Sequence, residues 1–294
     1  RSDIMKLDKS MRIMIVGLGL IGGSYARGLK KRGFYVTAID SNPESIKYGL
    51  REEIVDEGYD YVDDEAVGSA DMVIFALYPK VFLDWVRDYQ HLFKSGAIVT
   101  DVTGVKSCIV YKIQEMLRDD VEYIASHPMA GREVYGVENS DDRIFHDANF
   151  IVVPTNKNSV ESILTCRRLG EELGFSRISV LSPEEHDEMI GFVSQLTHCI
   201  AVTLMTCSDN THLACYTGDS FRDLTRIARI NENMWSELFL LNKDALLEQM
   251  DIFLREFVLF RDLLAAEDVE GMKEKMRIST ARRAVFDNTR KGEF

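Results

Sequence analysis

Arg12 to Asp40, RIMIVGLGLIGGSYARGLKKRGFYVTAID, constrains the chain more than any other segment. Ile13, Met14, Ile15 and Val16 form a short apolar run that stops at Gly17, the pattern of a parallel strand buried on both faces. Gly17, Gly19 and Gly22 then follow as G-x-G-x-x-G. The first glycine permits a sharp turn, the second lets a pyrophosphate approach the backbone, and the third lets the next helix pack closely on the strand. With Leu18, Leu20 and Ile21 between them, they make a loop that ends in a helix N-terminus, where free amides suit phosphate. Gly33 closes that helix, Tyr35 to Ile39 read as a second strand, and Asp40 ends it. A carboxylate there accepts the two hydroxyls of an adenosine ribose and repels a 2′-phosphate, so the segment predicts NAD as cofactor in preference to NADP. An accidental glycine turn would not bring strand, glycines, helix, second strand and acid into this order.

The alternation continues. Apolar strands are expected at Met72 to Leu77, Ala97 to Thr100, Glu122 to Ala125, 149–154 and 176–182, with helices at 82–93, 107–118 and 158–173. Strand and helix in turn predict an α/β, Rossmann-type, doubly wound and mainly parallel sheet. The carboxyl ends of such strands face the ligand crevice, which puts Leu77, Tyr78 and Thr103 beside the cofactor. At Ser182-Pro183 the pattern changes to a period near 3.6, with helices expected at 183–207, 218–228, 231–263 and 267–289. The expected domains are therefore 11–182, binding NAD, and 183–294, all-helical. Residues 246–264 are apolar on more than one side, which predicts a homodimer built through the helical domain.

A net charge of −13 opposes a nucleic-acid partner, which would need clustered lysine and arginine. The five cysteines are scattered and form no C-x-x-C pair, so they read as reduced thiols with no metal site. No apolar run approaches the length of a membrane span, and residues 1–10 are too polar for a signal peptide; the expectation is a cytoplasmic protein.

Three groups of side chains have the chemistry of a site. Ser126-His127-Pro128 follows a predicted strand end, making His127 a candidate base beside the nicotinamide. Ser194, Gln195 and His198 share a helical segment, Ser194 and His198 on one face. Arg222 and Arg226, also four apart, either hold a carboxylate by bidentate bonds or form solvated pairs with Asp219 or Asp223. Trp235, shortly after, is either a site residue or core.

The stretches GLGLIGGS at the start, DVTGVK at 101–106, SHPMAGRE at 126–133, EHDEMIGFVSQLTH at 185–198 and FRDLTRIARINENMW at 221–235 together resemble, in order and spacing, the prephenate dehydrogenase family of tyrosine biosynthesis. The resemblance spans about residues 11–290 and implies a Rossmann domain followed by an all-helical dimerisation domain. It implies that His127 hydrogen-bonds the ring hydroxyl of prephenate and that Arg226 binds a substrate carboxylate. His198 would be a further substrate contact, and Glu133 an acid near the pocket mouth that pairs with Arg226. Two positions depart from the family pattern. Gly104 stands where a serine often helps orient the histidine, leaving Thr103 or Ser126 to do so, and Gln195 replaces the first histidine of S-H-L-P-H. The implied reaction is NAD-dependent oxidative decarboxylation of prephenate to 4-hydroxyphenylpyruvate. Arogenate dehydrogenase is the nearest alternative, and a non-catalytic NAD-binding regulator is the alternative of another class. A β-hydroxyacid dehydrogenase would carry a lysine base in its helical domain, and no lysine occurs between Arg177 and Asn242.

Overall fold

The computed structural model describes residues 7–209 and 211–290. They fall into two compact units that divide between Asn242 and Lys243. The first contains β1 (Arg12–Val16), α1 (Leu20–Lys31), β2 (Tyr35–Ile39), α2 (Pro43–Arg51), β3 (Glu57–Tyr59), α3 (Asp64–Ser69), β4 (Met72–Phe75), α4 (Pro79–Tyr89), β5 (Ile98–Asp101), α5 (Ser107–Met116), β6 (Glu122–Tyr123) and β7 (Ala125–Met129). It continues with β8 (Asn149–Val153), α6 (Val160–Leu173), β9 (Arg177–Val180), α7 (Pro183–Ile190), α8 (Thr197–Thr206), α9 (Asp219–Thr225) and α10 (Glu232–Leu241). The second unit contains α11 (Lys243–Ala265) and α12 (Val269–Arg290), whose side chains pack on each other.

Six strands form one parallel sheet in the order β3-β2-β1-β4-β5-β6, the doubly wound order of dinucleotide-binding folds. The apolar run of β1 is continuous because successive side chains enter opposite cores. Ile13 and Ile15 pack with Tyr25 and Leu29 of α1, while Met14 and Val16 pack with Phe82 and Val86 of α4. Helix starts follow their capping residues: Asn42 accepts the Glu44 amide, Asp63 the Ala66 amide, and Ser182 with Glu185 forms a capping box ahead of Pro183.

The first departure from expectation lies at 122–125. β6 ends at Tyr123, and after the Ile124 amide bonds the Val99 carbonyl the chain leaves the parallel sheet. β7 then pairs antiparallel with β8, and β8 parallel with β9, as a separate three-stranded sheet. His127 therefore sits within β7 opposite Ile151, not beyond the end of a parallel strand.

The expected helix 231–263 breaks at Asn242, whose amide donates to the Asp187 carbonyl and to Gln195 Oε1 at 2.9 and 2.8 Å. α7 and α8 are joined by a π-helical turn, Gly191–Leu196, into one helix from Pro183 to Thr206. By length and composition this helix could cross a membrane, which corrects the expectation that no run reaches that length. It nonetheless carries buried His186, Asp187 and Gln195, each hydrogen-bonded within the first unit.

Candidate active site

The carboxyl ends of β1, β2, β4 and β5, together with β7, the Pro183–Thr206 helix and residues 226–238, enclose a cavity of about 750 Å³. The glycine loop forms its floor. Gly17 has φ +97°, and a Cβ there would lie 2.4 Å from the Ala76 carbonyl oxygen; a Cβ on Gly22 would lie 1.9 Å from that of Gly17. A Cβ on Gly19, by contrast, would meet nothing within 4 Å, so this backbone is open to a ligand. Leu20, Ile21, Asp40, Leu77, Tyr78 and Thr103 line the same cavity. Leu18 does not; it is buried beneath the loop, and its amide donates to Asp40 Oδ2 at 2.6 Å. Asp40 Oδ1 accepts the Asn42 amide at 2.8 Å, which fixes the carboxylate at the end of β2.

His127 also lines the cavity, and its Nδ1 lies 2.8 Å from His186 Nε2. His186 Nδ1 in turn lies 2.8 Å from Asp187 Oδ1. Asp187 closes the row by accepting the Lys106 amide on Oδ1 and the Ser107 amide on Oδ2, both at 2.8 Å, at the start of α5. Burial, the adjoining His186 and the Lys106 cation hold His127 well below the ordinary histidine value, so it is neutral at pH 7. Burial lowers His186 as well, against the opposing pull of Asp187.

The expectation that Thr103 or Ser126 orients His127 is corrected. Ser126, fully buried and outside the cavity lining, donates from Oγ to the Asp101 carbonyl at 2.8 Å and meets Thr100 Oγ1 at 3.1 Å. Thr103 Oγ1 donates toward Asp101 Oδ2 at 2.5 Å. Both belong to a buried network around the ion pair of Lys106 Nζ and Asp101 Oδ2, 2.7 Å apart, and Lys106 Nζ also donates to the Ser126 carbonyl at 2.5 Å. A Cβ on Gly104 would come no nearer than 3.9 Å to the His127 ring.

Across the helical wall, Arg226 Nη1 pairs with Glu133 Oε1 at 2.5 Å, and both line the cavity. Ser194 and His198 line it too; His198 Nδ1 donates to the Ser194 carbonyl at 2.8 Å, which leaves Nε2 as an acceptor. The His198 ring stacks on Trp235 with centroids 3.7 Å apart, so Trp235 is a wall of the cavity as well as packing. Two expected substrate contacts are engaged otherwise. Gln195 reaches the lining, but its amide donates to the Leu238 carbonyl at 3.1 Å and accepts from Asn242. Arg222 is absent from the lining and pairs with Asp219 at 2.6 Å, the solvated alternative.

His186 and Asp187 were not singled out from the sequence. Their signal was present: with Pro183 and Ile190 they make up the buried stripe of α7, and two titratable side chains on an inward stripe need partners.

A family model described as "Prephenate dehydrogenase, nucleotide-binding domain" matches residues 25–179, and one described as "Prephenate dehydrogenase, dimerization domain" matches residues 182–278. The prephenate dehydrogenase of Bacillus subtilis is 29% identical over 268 residues, covering 88% of this chain and 72% of its own length. The cyclohexadienyl dehydrogenase of Zymomonas mobilis is 29% identical over 276 residues, covering 91% and 93%. Among solved structures, the prephenate dehydrogenase of Aquifex aeolicus in complex with hydroxyphenyl propionate and NAD⁺ superposes with a TM-score of 0.86 at 29% identity, covering 96% of this chain and 100% of that one.

Proposed function

The chain belongs to the prephenate dehydrogenase family, and from that premise we propose that it catalyses the NAD-dependent oxidative decarboxylation of prephenate to 4-hydroxyphenylpyruvate. The observation that carries the proposal is a neutral His127 in the same cavity as the open glycine loop, Arg226 and His198. The loop at Gly17, Gly19 and Gly22 and the carboxylate of Asp40 would hold NAD⁺, and its fit is supported by the open backbone at Gly19. When bound, NAD⁺ supplies a hydride acceptor.

His127 takes the proton of the ring hydroxyl as that carbon loses its hydrogen and becomes a carbonyl. The ring carboxylate then leaves as CO₂, its bonding electrons pass into the ring, and His127 returns the proton to the phenolate oxygen. The proton count balances with no other acid. Arg226, released from Glu133, binds a substrate carboxylate and holds the substrate in line, with His198 beside it as a wall of the cavity.

We further propose a functional division near residue 182 and a homodimer through the helical region. Support comes from the dimerization-domain match and from α11, which exposes Leu247, Leu254, Phe257, Val258 and Leu264. The test of the activity is NADH absorbance with purified protein, NAD⁺ and either prephenate or arogenate. Turnover of arogenate alone would reassign the substrate, and NADH binding without turnover of either would mark a regulator.

A further inference from the structure

Three observations bear on which nitrogen of His127 acts. Asp187 accepts three hydrogens: Oδ1 from the Lys106 amide and from His186 Nδ1, and Oδ2 from the Ser107 amide. Burial would raise its carboxyl, but the bonds from His186 and Ser107 hold it below the ordinary value, and an ionised carboxylate can only accept. His186 must then carry its proton on Nδ1. Being buried and neutral, it has a lone pair on Nε2. The 2.8 Å contact between that nitrogen and His127 Nδ1 needs one hydrogen, and His127 alone can supply it.

We infer that His186 and Asp187 are positioning residues that fix His127 in its Nδ1–H tautomer and so present the Nε2 lone pair as the base. The inference rests on His127 being the base of the reaction above. Each proton assignment follows from the one before it, starting at two backbone amides that have no alternative state. The row also orients the ring, since Nδ1 is tied to α7 while Nε2 has no protein partner among the described residues. When Nε2 is protonated, the imidazolium's Nδ1–H strengthens its bond to His186, and Asp187 supplies the countercharge at the far end. The other charged groups facing the pair are Lys106 and Asp101, already bound to each other, so neither competes for the histidines.

The geometry separates this arrangement from simple packing. In His186→Leu the Nδ1–H of His127 loses its acceptor, and the ring gains by moving its proton to Nε2, where it can no longer act as a base. In His186→Gln a side-chain carbonyl again accepts from Nδ1. In Asp187→Asn the amide can donate to His186 Nδ1, which reverses both tautomers.

The experiment combines ¹⁵N spectra of His127 in the protein without added ligands with steady-state kinetics and thermal melts. Wild type should show a protonated Nδ1 and an unprotonated Nε2 at pH 8. His186→Leu should shift His127 to the Nε2–H form and lower kcat by about 10²-fold or more with KM changed less than about threefold, in the range of a lost general base. His186→Gln should recover at least about tenfold of that loss. A wild-type His127 found in the Nε2–H form overturns the inference, as does a folded His186→Leu enzyme with wild-type kcat and tautomer. If His127→Asn is inactive while His186→Leu is fully active, positioning fails and the activity stands. If wild type turns over neither prephenate nor arogenate, the activity fails, and the tautomer spectra still decide the positioning.

Discussion

Replacing Lys106 by methionine tests the floor on which the base is mounted. The lysine is fully buried, and its Nζ donates to Asp101 Oδ2 at 2.7 Å, Thr103 Oγ1 at 3.1 Å and the Ser126 carbonyl at 2.5 Å. Methionine keeps the apolar stem and removes the cation, leaving Asp101 as a buried anion. Breaking a buried pair from one side typically costs about 3–5 kcal/mol. Here Asp101 would retain the Thr103 amide and hydroxyl, the Tyr123 hydroxyl and the Ser126 amide, so the lower part of the range applies, about 3–4 kcal/mol. For a unit of this size that corresponds to a fall in Tm of roughly 6–16 °C by calorimetry or circular dichroism. The double variant Lys106→Met with Asp101→Asn should recover about half, because the remaining donors then face a neutral acceptor. A single variant melting within about 2 °C of wild type would refute the reasoning, since it would mean that the pair contributes nothing despite its burial.

His127→Asn should lower kcat by roughly 10²–10⁴-fold with little change in KM, and unaltered kcat in steady-state assays would end the mechanistic proposal. Arg226→Ala should chiefly raise KM, by about 1.5–3 kcal/mol equivalent for a lost charge-assisted bond. Glu133→Gln should lower KM modestly, because Arg226 then gives up no anion to take the substrate. His127 and His186 both have folded values depressed below the unfolded histidine value of about 6.5, so the unfolded chain binds more protons in acid. Stability is therefore fully present above about pH 6.5 and declines as pH falls below it, with the acid limb of kcat/KM also below 6.5. Melts from pH 8 to 5 check the sign. Light scattering at micromolar concentration should give twice the 33.5 kDa of one chain, and a mass near 33.5 kDa would sink the dimer.

What the sequence disclosed and what it withheld divide along a physical line. The glycine loop was legible because a sharp turn and close helix packing are local demands, met within Gly17 to Gly22. The boundary at Ser182-Pro183 was local in the same way, a capping serine ahead of a proline at a helix start. The departure of β7 was not, because an apolar run does not name its partner: Ala125 pairs with Val153, 28 residues on. Arg222 and Arg226 looked like one helical face, yet α9 gives way at Arg226 to a tighter 3₁₀ turn, and the two guanidiniums go to Asp219 and Glu133. Gln195 had the character of a substrate contact until Asn242 and the Leu238 carbonyl, from the far end of α10, engaged its amide. His186 is the strongest case. Its helical position was readable as buried, but its meaning depends on His127, 59 residues earlier on β7, and on two amides of α5 that hold Asp187. The chemistry of the cavity thus lies in joints between elements. A buried polar side chain on an inward helical stripe is the one sequence mark that such a joint leaves behind, because burial without a partner is too unfavourable to persist.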